Sequence, residues 1–441
     1  MPYVSASDAD RAAMLDAVGR ASVDELFSDI PEEILDRFRP TGLAGASEME
    51  VTAAIHALAR ETVDPDAVVS FHGGGLYDHH IPSVVKHMVS RSEFATAYTP
   101  YQPELSQGTL TAMFEYQTMV CELTGMEIAN ASMYDGASAL AEAVLMAERI
   151  VGNGHVLVSA ALFPYMRRVV DTYCWASGLA VDPLPWTSDG RIDRSALSSD
   201  VSGVVIQSPN AFGVLEDLAG IKDAIGEALL IVSCHPLSLA IVEPPGSFAA
   251  DIVVGEGQSL GLPPSYGGPL LGLFATRRAY LRQLPGRIAS RTVDVDGNIG
   301  YTMAAQTREQ HIRRERATSN LCTNAALCAL AATVFLAAHG ERGLRDLARV
   351  NYDNAHFAAQ ELTSLPGVEL VFPSPFFNEF TVRVPSDPER IRARLRADGI
   401  ALDPTDDMRR LGLENALRVA VTERRSSSDV ERLVRALREA L

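Results

Sequence analysis

Apolar positions recur along this chain in two ways: at helical spacing near 3.6, and as short unbroken runs. The alternation between the two marks out its elements. Residues 1–65 show only the helical spacing. Ser7 is placed to cap a helix running to about Gly19, and Pro31 opens a short helix over PEEILDRF. Ser47 and Glu50 fit a capping box ahead of MEVTAAIHALARET. From about residue 66 apolar runs appear, beginning with DAVVSF. Two strong helices follow, LSQGTLTAMFEYQTMVCELT, stopped by Gly125, and GASALAEAVLMAERI. Strand-like runs then alternate with helical stretches: HVLVS, GLAVDPL, GVVIQS, ALLIVS, DIVV and LLGLFA. Such alternation predicts right-handed crossovers and a mostly parallel sheet covered on both faces. After about residue 300 the pattern returns to helices, the longest being TNAALCALAATVFLAAHG. Two strands, a helix, the strand ALRVAVT and a terminal helix complete an α+β region. The expected organisation is a helical segment 1–65, a large α/β domain 66–320 and a smaller C-terminal domain 321–441.

Composition narrows the function. The 441 residues are 47% hydrophobic and 21% charged, a globular balance. The net charge of −18 argues against nucleic acid or an anionic membrane as a partner. No apolar stretch is long enough to span a bilayer. MPYVSASDADRAAM lacks the basic end and apolar core of a secretory signal, so a cytoplasmic location is expected. Cys121, Cys174, Cys234, Cys322 and Cys328 are scattered, with no CxxC, as in a protein with reduced thiols. Among the basic residues only Lys86 and Lys222 are lysines. Any chemistry needing a lysine Schiff base therefore has two candidates.

Several motifs compete for the chemistry. GQSLG (257–261) has the G-x-S-x-G spacing of a nucleophile elbow, which would make Ser259 a hydrolase nucleophile. An elbow must run straight into a helix, and Pro263-Pro264 prevents that. Gly73–Gly75 could cradle a phosphate but lack the rest of such a motif, so a tight turn fits better. His72, His79, His80 and His87 cluster without metal-ligand spacing. YTPYQPE (98–104) holds Tyr98, Tyr101, Gln102 and Glu104 between prolines, which suits either a polar substrate pocket or a structural corner with buried tyrosines. REQHIRRERATSN crowds Arg308, Arg313, Arg314 and Arg316 ahead of Thr318, Ser319 and Asn320, which are placed either to cap the next helix or to attract phosphate at its N-terminus.

Taken in order, YDHHIPSVVKHMVSRSEFATAYTPYQPELSQGTLTAMFEYQTMVCELTGMEIANASMYDGASALAEA, VVIQSPNAFGVLED, DIVVGEGQSLG with YGGPLLG, QTREQHIRRERATSNLCTNAAL and FFNEF closely resemble the glycine decarboxylase (P-protein) family of the glycine cleavage system, in the N-terminal-half (alpha) subunit of its two-chain form. The resemblance implies a fold-type-I pyridoxal-phosphate transferase architecture, aminotransferase-like, with a smaller C-terminal domain. It implies that, with subunit 2, the chain decarboxylates glycine on pyridoxal phosphate and passes the aminomethyl group to the lipoyl arm of the H-protein, in an α2β2 heterotetramer. In this fold class the Schiff-base lysine lies beyond a strand late in the large domain. The matching stretch here, DIVVGEGQSLGLPPSYGGP, has none. The expectation is that subunit 2 carries the lysine and the cofactor. Tyr98, Tyr101, Gln102 and Glu104 are expected to reach the partner's substrate pocket, and Thr318, Ser319 and Asn320 its cofactor phosphate. The alternatives are a non-catalytic scaffold for the same complex and a free-standing hydrolase using Ser259. No metal is expected.

Overall fold

The computed structural model describes residues 5–39, 41–62 and 67–441. By contact these group into two units, residues 1–67 and 68–441.

The first unit carries the helices Asp8–Ala17 and Glu48–Glu61. Ser47 and Glu50 form the capping box that the sequence predicts, and Ser7, predicted as a cap, forms a second box with Asp10.

The second unit is built on a seven-stranded sheet. Its strands are β2 (Ile128–Ala129), β3 (His155–Ser159), β4 (Ala180–Leu184), β5 (Gly203–Ser208), β6 (Leu229–Cys234), β7 (Ile252–Glu256) and β8 (Gly272–Thr276), after a short β1 (Val69–Ser70) that lies elsewhere. The order is β2-β8-β7-β6-β5-β3-β4. Strands β3 to β7 are mutually parallel, while β8 and β2 add on antiparallel. Both faces are covered. In β5, Val204 and Ile206 enter one apolar cluster while Val205 enters another. In β6, Leu230 and Val232 face away from Leu229 and Ile231 in the same way. The unbroken apolar runs of the sequence are the signature of strands buried on both sides.

A hairpin of β9 (Ile288–Val293) and β10 (Ile299–Ala304) follows, in a stretch where the sequence pattern shows no strand. Most of its side chains are partly or fully exposed, so no apolar run announces it. The helical segment Ala326–Thr363 is broken at Gly340, which has φ 61° and ψ 179°. A second core gathers around β11 (Glu369–Leu370), β12 (Glu379–Arg383) and β14 (Ala416–Ala420), covered by the helices Pro388–Ala397 and Ser427–Ala440. Val69 to Phe71 of the DAVVSF run join this core, since β1 pairs parallel with β13 (Ile400–Ala401). The strands of the large sheet all precede residue 320 and β11, β12 and β14 follow it, but β1, from before that point, joins the smaller core.

The loop after β5 shows why VVIQSPNAFGVLED and FFNEF occur together. Gly213 has φ 87°, and a Cβ there would lie 2.0 Å from the backbone oxygen of Glu379. Replacing Gly213 with alanine is expected to cost at least about 2 kcal/mol, from left-handed strain and overpacking against backbone that cannot yield. Thermal unfolding of the full chain checks this, and a wild-type midpoint would refute it.

Candidate functional site

In open α/β sheets ligands settle outside the carboxyl ends of the strands, where the strand order reverses. Here that point lies between β3 and β5, and the side chains around it close it. Glu256, the last residue of β7, turns its carboxyl group to the N-terminus of the helix Gly136–Val151. One oxygen accepts the Gly136 N–H at 2.8 Å, and the other accepts those of Gln258 and Leu271 at 3.0 and 3.1 Å. An internal carboxyl thus occupies the place where a helix N-terminus would hold a bound anion. Burial pushes the Glu256 pKa up to about 8 against the pull of these N–H donors. The approach is tight, because a Cβ on residue 136 would lie 2.9 Å from the Glu256 Cβ.

Tyr77 and Gln258 seal the same region through paired bonds. Tyr77 N donates to Gln258 Oε1 at 2.8 Å, and Gln258 Nε2 donates to the Tyr77 carbonyl at 3.0 Å. The His235 ring stands 4.7 Å from the Tyr77 ring. What remains between Gly75, Tyr77, Phe163, His235 and Glu256 is a cavity of about 20 Å³. That is room for about one water, whereas small-molecule pockets run to about 300–1,000 Å³. Pyridoxal phosphate does not fit this crevice.

Neither lysine serves it. Lys86 lies exposed on the helix Ser83–Val89. Lys222 lies in AGIKDAIGEAL, a stretch that reads as a surface helix, but the structure leaves its side chain mostly covered. Its ammonium bonds Asp251 Oδ2 and the Ala228 carbonyl, both at 2.8 Å, beside the start of β7 and so at the opposite end of the strands. Asp251 is fully buried. Lys222→Ala is therefore expected to cost about 1–3 kcal/mol, and Lys86→Ala under about 0.5 kcal/mol. Denaturant unfolding of the two variants separates them, and equal stabilities would contradict the assignment.

The glycine run 73–75 turns against buried charge. Gly74 N donates to Glu379 Oε2 at 2.8 Å, and Gly73 N to Asp403 Oδ2 at 3.1 Å. Arg418 Nε donates to Asp403 Oδ2 at 2.8 Å and lies 3.6 Å from Glu379 Oε1. Burial alone would raise Asp403, but Arg418 and His72 outweigh it and hold its pKa at about 2. Burial raises Glu379 to about 7 despite Arg418. One cation thus balances one carboxylate there, and the second carboxyl is largely protonated below neutral pH. His79 bonds Glu423 at 2.9 Å, so the histidine-rich segment supplies structural pairs. Among the described residues no cluster has the makings of a metal site. Ser259 Oγ is buried without a hydrogen-bond partner, so no base activates it, and the hydrolase alternative fails.

The other motifs meet elsewhere. Tyr98 and Tyr101 are 78% and 61% exposed, and Gln102 lies open beside them, so the loop is not a corner with buried tyrosines. Glu104 is exposed on the turn that follows. Thr318, Ser319 and Asn320 do not cap the long helix, which begins only at Ala326. The backbone there is served from a distant segment: Ser132 Oγ accepts the Ala325 N–H at 3.0 Å, and the Tyr134 hydroxyl accepts that of Cys322 at 3.1 Å. Ser319 Oγ instead accepts the N–H of Leu321 at 3.3 Å. Thr318 and Ser319 line a cavity of about 10 Å³ with Arg287, Arg308 and Glu309. Burial raises the Glu309 pKa and lowers that of Arg308, whose Nη1 is buried without a partner. Arg287 escapes the sequence analysis altogether. It is a lone arginine in LPGRIAS, with no local signal that it is buried.

The comparisons agree with this architecture. Residues 1–437 match the family described as glycine cleavage system P-protein. The chain is 46% identical over 448 residues to a protein of Geotalea daltonii named probable glycine dehydrogenase (decarboxylating) subunit 1, with all of both chains covered. It is 45% identical to a Thermotoga maritima protein of the same name, with 99% of each covered. A solved glycine decarboxylase (P-protein) of the glycine cleavage system, in inhibitor-bound form, superposes with a TM-score of 0.92 at 44% identity over 100% of both chains. A Lactobacillus brevis glutamate decarboxylase, at 12% identity and a TM-score of 0.67 over 92% of this chain and 96% of its own, shares the fold alone, which is fold type I. The chain belongs to the glycine cleavage system P-protein family.

Proposed function

We propose that this chain acts as the subunit without the Schiff-base lysine in a two-chain glycine decarboxylase, in the cytoplasm and within an α2β2 assembly. In this reading subunit 2 holds pyridoxal phosphate, which supplies the electron sink for decarboxylation, and the aminomethyl group leaves on the lipoyl arm of the H-protein. The observation that carries the division of labour is the closed crevice: about 20 Å³, no lysine, and a helix N-terminus already taken by Glu256. The part left to this chain is the exposed loop. Tyr98, Tyr101, Gln102 and Glu104 stand open to a partner, and Arg287 donates to the Tyr101 oxygen, which leaves the phenol proton free for a ligand. Thr318, Ser319 and Asn320 would face the partner's cofactor phosphate, their hydroxyls and amide serving as donors.

The test uses the full chain alone and with subunit 2. The chain alone should show no absorption band of a lysine-bound pyridoxal cofactor, and glycine-dependent CO2 exchange should require both chains. A cofactor band in this chain alone, or full exchange by subunit 2 alone, would sink the reading.

A further inference from the structure

Arg287 joins segments that lie far apart in sequence. It is 4% exposed. Nη1 donates to Thr99 Oγ1 at 3.0 Å, and Nη2 donates to the Tyr101 hydroxyl at 3.3 Å and to the Cys322 carbonyl at 2.8 Å. Its guanidinium carbon stands 5.5 Å from the centre of the Tyr101 ring. On the inner side Nε lies 3.7 Å from the buried carboxylate of Glu309. Its own carbonyl accepts the Ala131 N–H at 2.7 Å, which pins the backbone at this point to the segment leading to Ser132 and Tyr134. That segment in turn bonds the backbone at Cys322 and Ala325.

We infer that Arg287 is the positioning residue that locks the Thr99–Glu104 loop and the Thr318–Cys322 segment into one surface for the reaction of the complex. Its effect on that reaction rests on the function proposed above; its hold on the two segments does not. Three acceptors on two segments need a planar fork with several fixed N–H directions. A lysine keeps the charge beside Glu309 but presents a single point of donation, so it cannot serve all three. The tyrosines are exposed, and little apolar burial holds their loop, so its order depends on these bonds.

The discriminating variant is Arg287→Lys in the full chain. Amide hydrogen exchange should speed up at least about tenfold in peptides covering both 98–105 and 318–324, with the β5–β7 core unchanged. In the complex, kcat for glycine should fall about 10- to 100-fold while KM changes much less, because the groups displaced are those held ready for the transition state. Combining Arg287→Lys with Tyr101→Phe should lose little more than the larger of the two single losses, the mark of one shared interaction. Arg287→Ala with added guanidinium ion gives a second reading: the ion should restore part of the lost turnover, and methylammonium should not. Wild-type exchange in either segment of Arg287→Lys, or additive losses in the double variant, would overturn the inference. Faster exchange in both segments with wild-type turnover would instead overturn the reading that these segments serve the reaction.

Discussion

Replacing Arg418 with methionine is expected to destabilise the full chain by about 3–5 kcal/mol, because it leaves two buried carboxyl groups without their cation. The side chains of Arg418, Asp403 and Glu379 are all more than nine-tenths buried. The guanidinium also lies 5.4 Å from the centre of the Phe163 ring, so its loss removes packing at the closed crevice as well. Arg418→Lys keeps the charge and should lose less. The pH dependence follows from Asp403. Its pKa is held low in the folded chain, so its contribution is present above the unfolded value and is lost as pH falls towards about 2. The gap between wild type and Arg418→Met should therefore be widest near neutral pH and narrow in acid. Circular dichroism melts across pH decide it. A variant within about 1 °C of wild type at neutral pH would show that the cluster is not held by its cation.

Tyr98→Phe and Tyr101→Phe are expected to slow glycine decarboxylation by the complex about 30- to 1000-fold, the effect of losing one transition-state hydrogen bond worth about 2–4 kcal/mol. Each change keeps the ring and deletes only the hydroxyl. Glycine has no side chain to grip, so selectivity has to come from a narrow pocket and an oriented carboxylate. Exposed phenols on a loop stiffened by Pro100 and Pro103 can supply both at little ordering cost. The two variants should differ in one respect. Tyr101 also accepts a bond from Arg287, so its loss should loosen the loop slightly, whereas Tyr98→Phe should leave the melting temperature unchanged. If both complexes assemble and turn over at the wild-type rate, the scaffold alternative gains and the loop is structural.

Much of the fold is legible in the sequence because the relevant physics is local. The caps at Ser7 and Ser47 act within three residues, and Gly125 ends its helix in the left-handed conformation that glycine adopts most readily. The apolar runs of β5, β6 and β7 announce strands buried on both faces, and their alternation with helices sets the parallel sheet. The long, low-degeneracy motifs place the chain in its family, and the absence of a lysine from residues 251–269 needs only the sequence itself.

Tertiary structure alone decided the rest, because the deciding partners lie far apart in the chain. Thr318, Ser319 and Asn320 have the chemistry of a helix cap, yet the donors ahead of Ala326 are met by Ser132 and Tyr134, nearly 200 residues upstream. Lys222 sits in a polar helical stretch, but the sheet brings Asp251 to its ammonium. Glu256 looks like any acidic residue after a strand until the fold sets it against Gly136 and fills the crevice. Local spacing determines which elements form, since their hydrogen bonds close within a few residues. Which polar group ends up buried, and what it must bond there, depends on which elements the topology stacks together, and no short-range pattern records that.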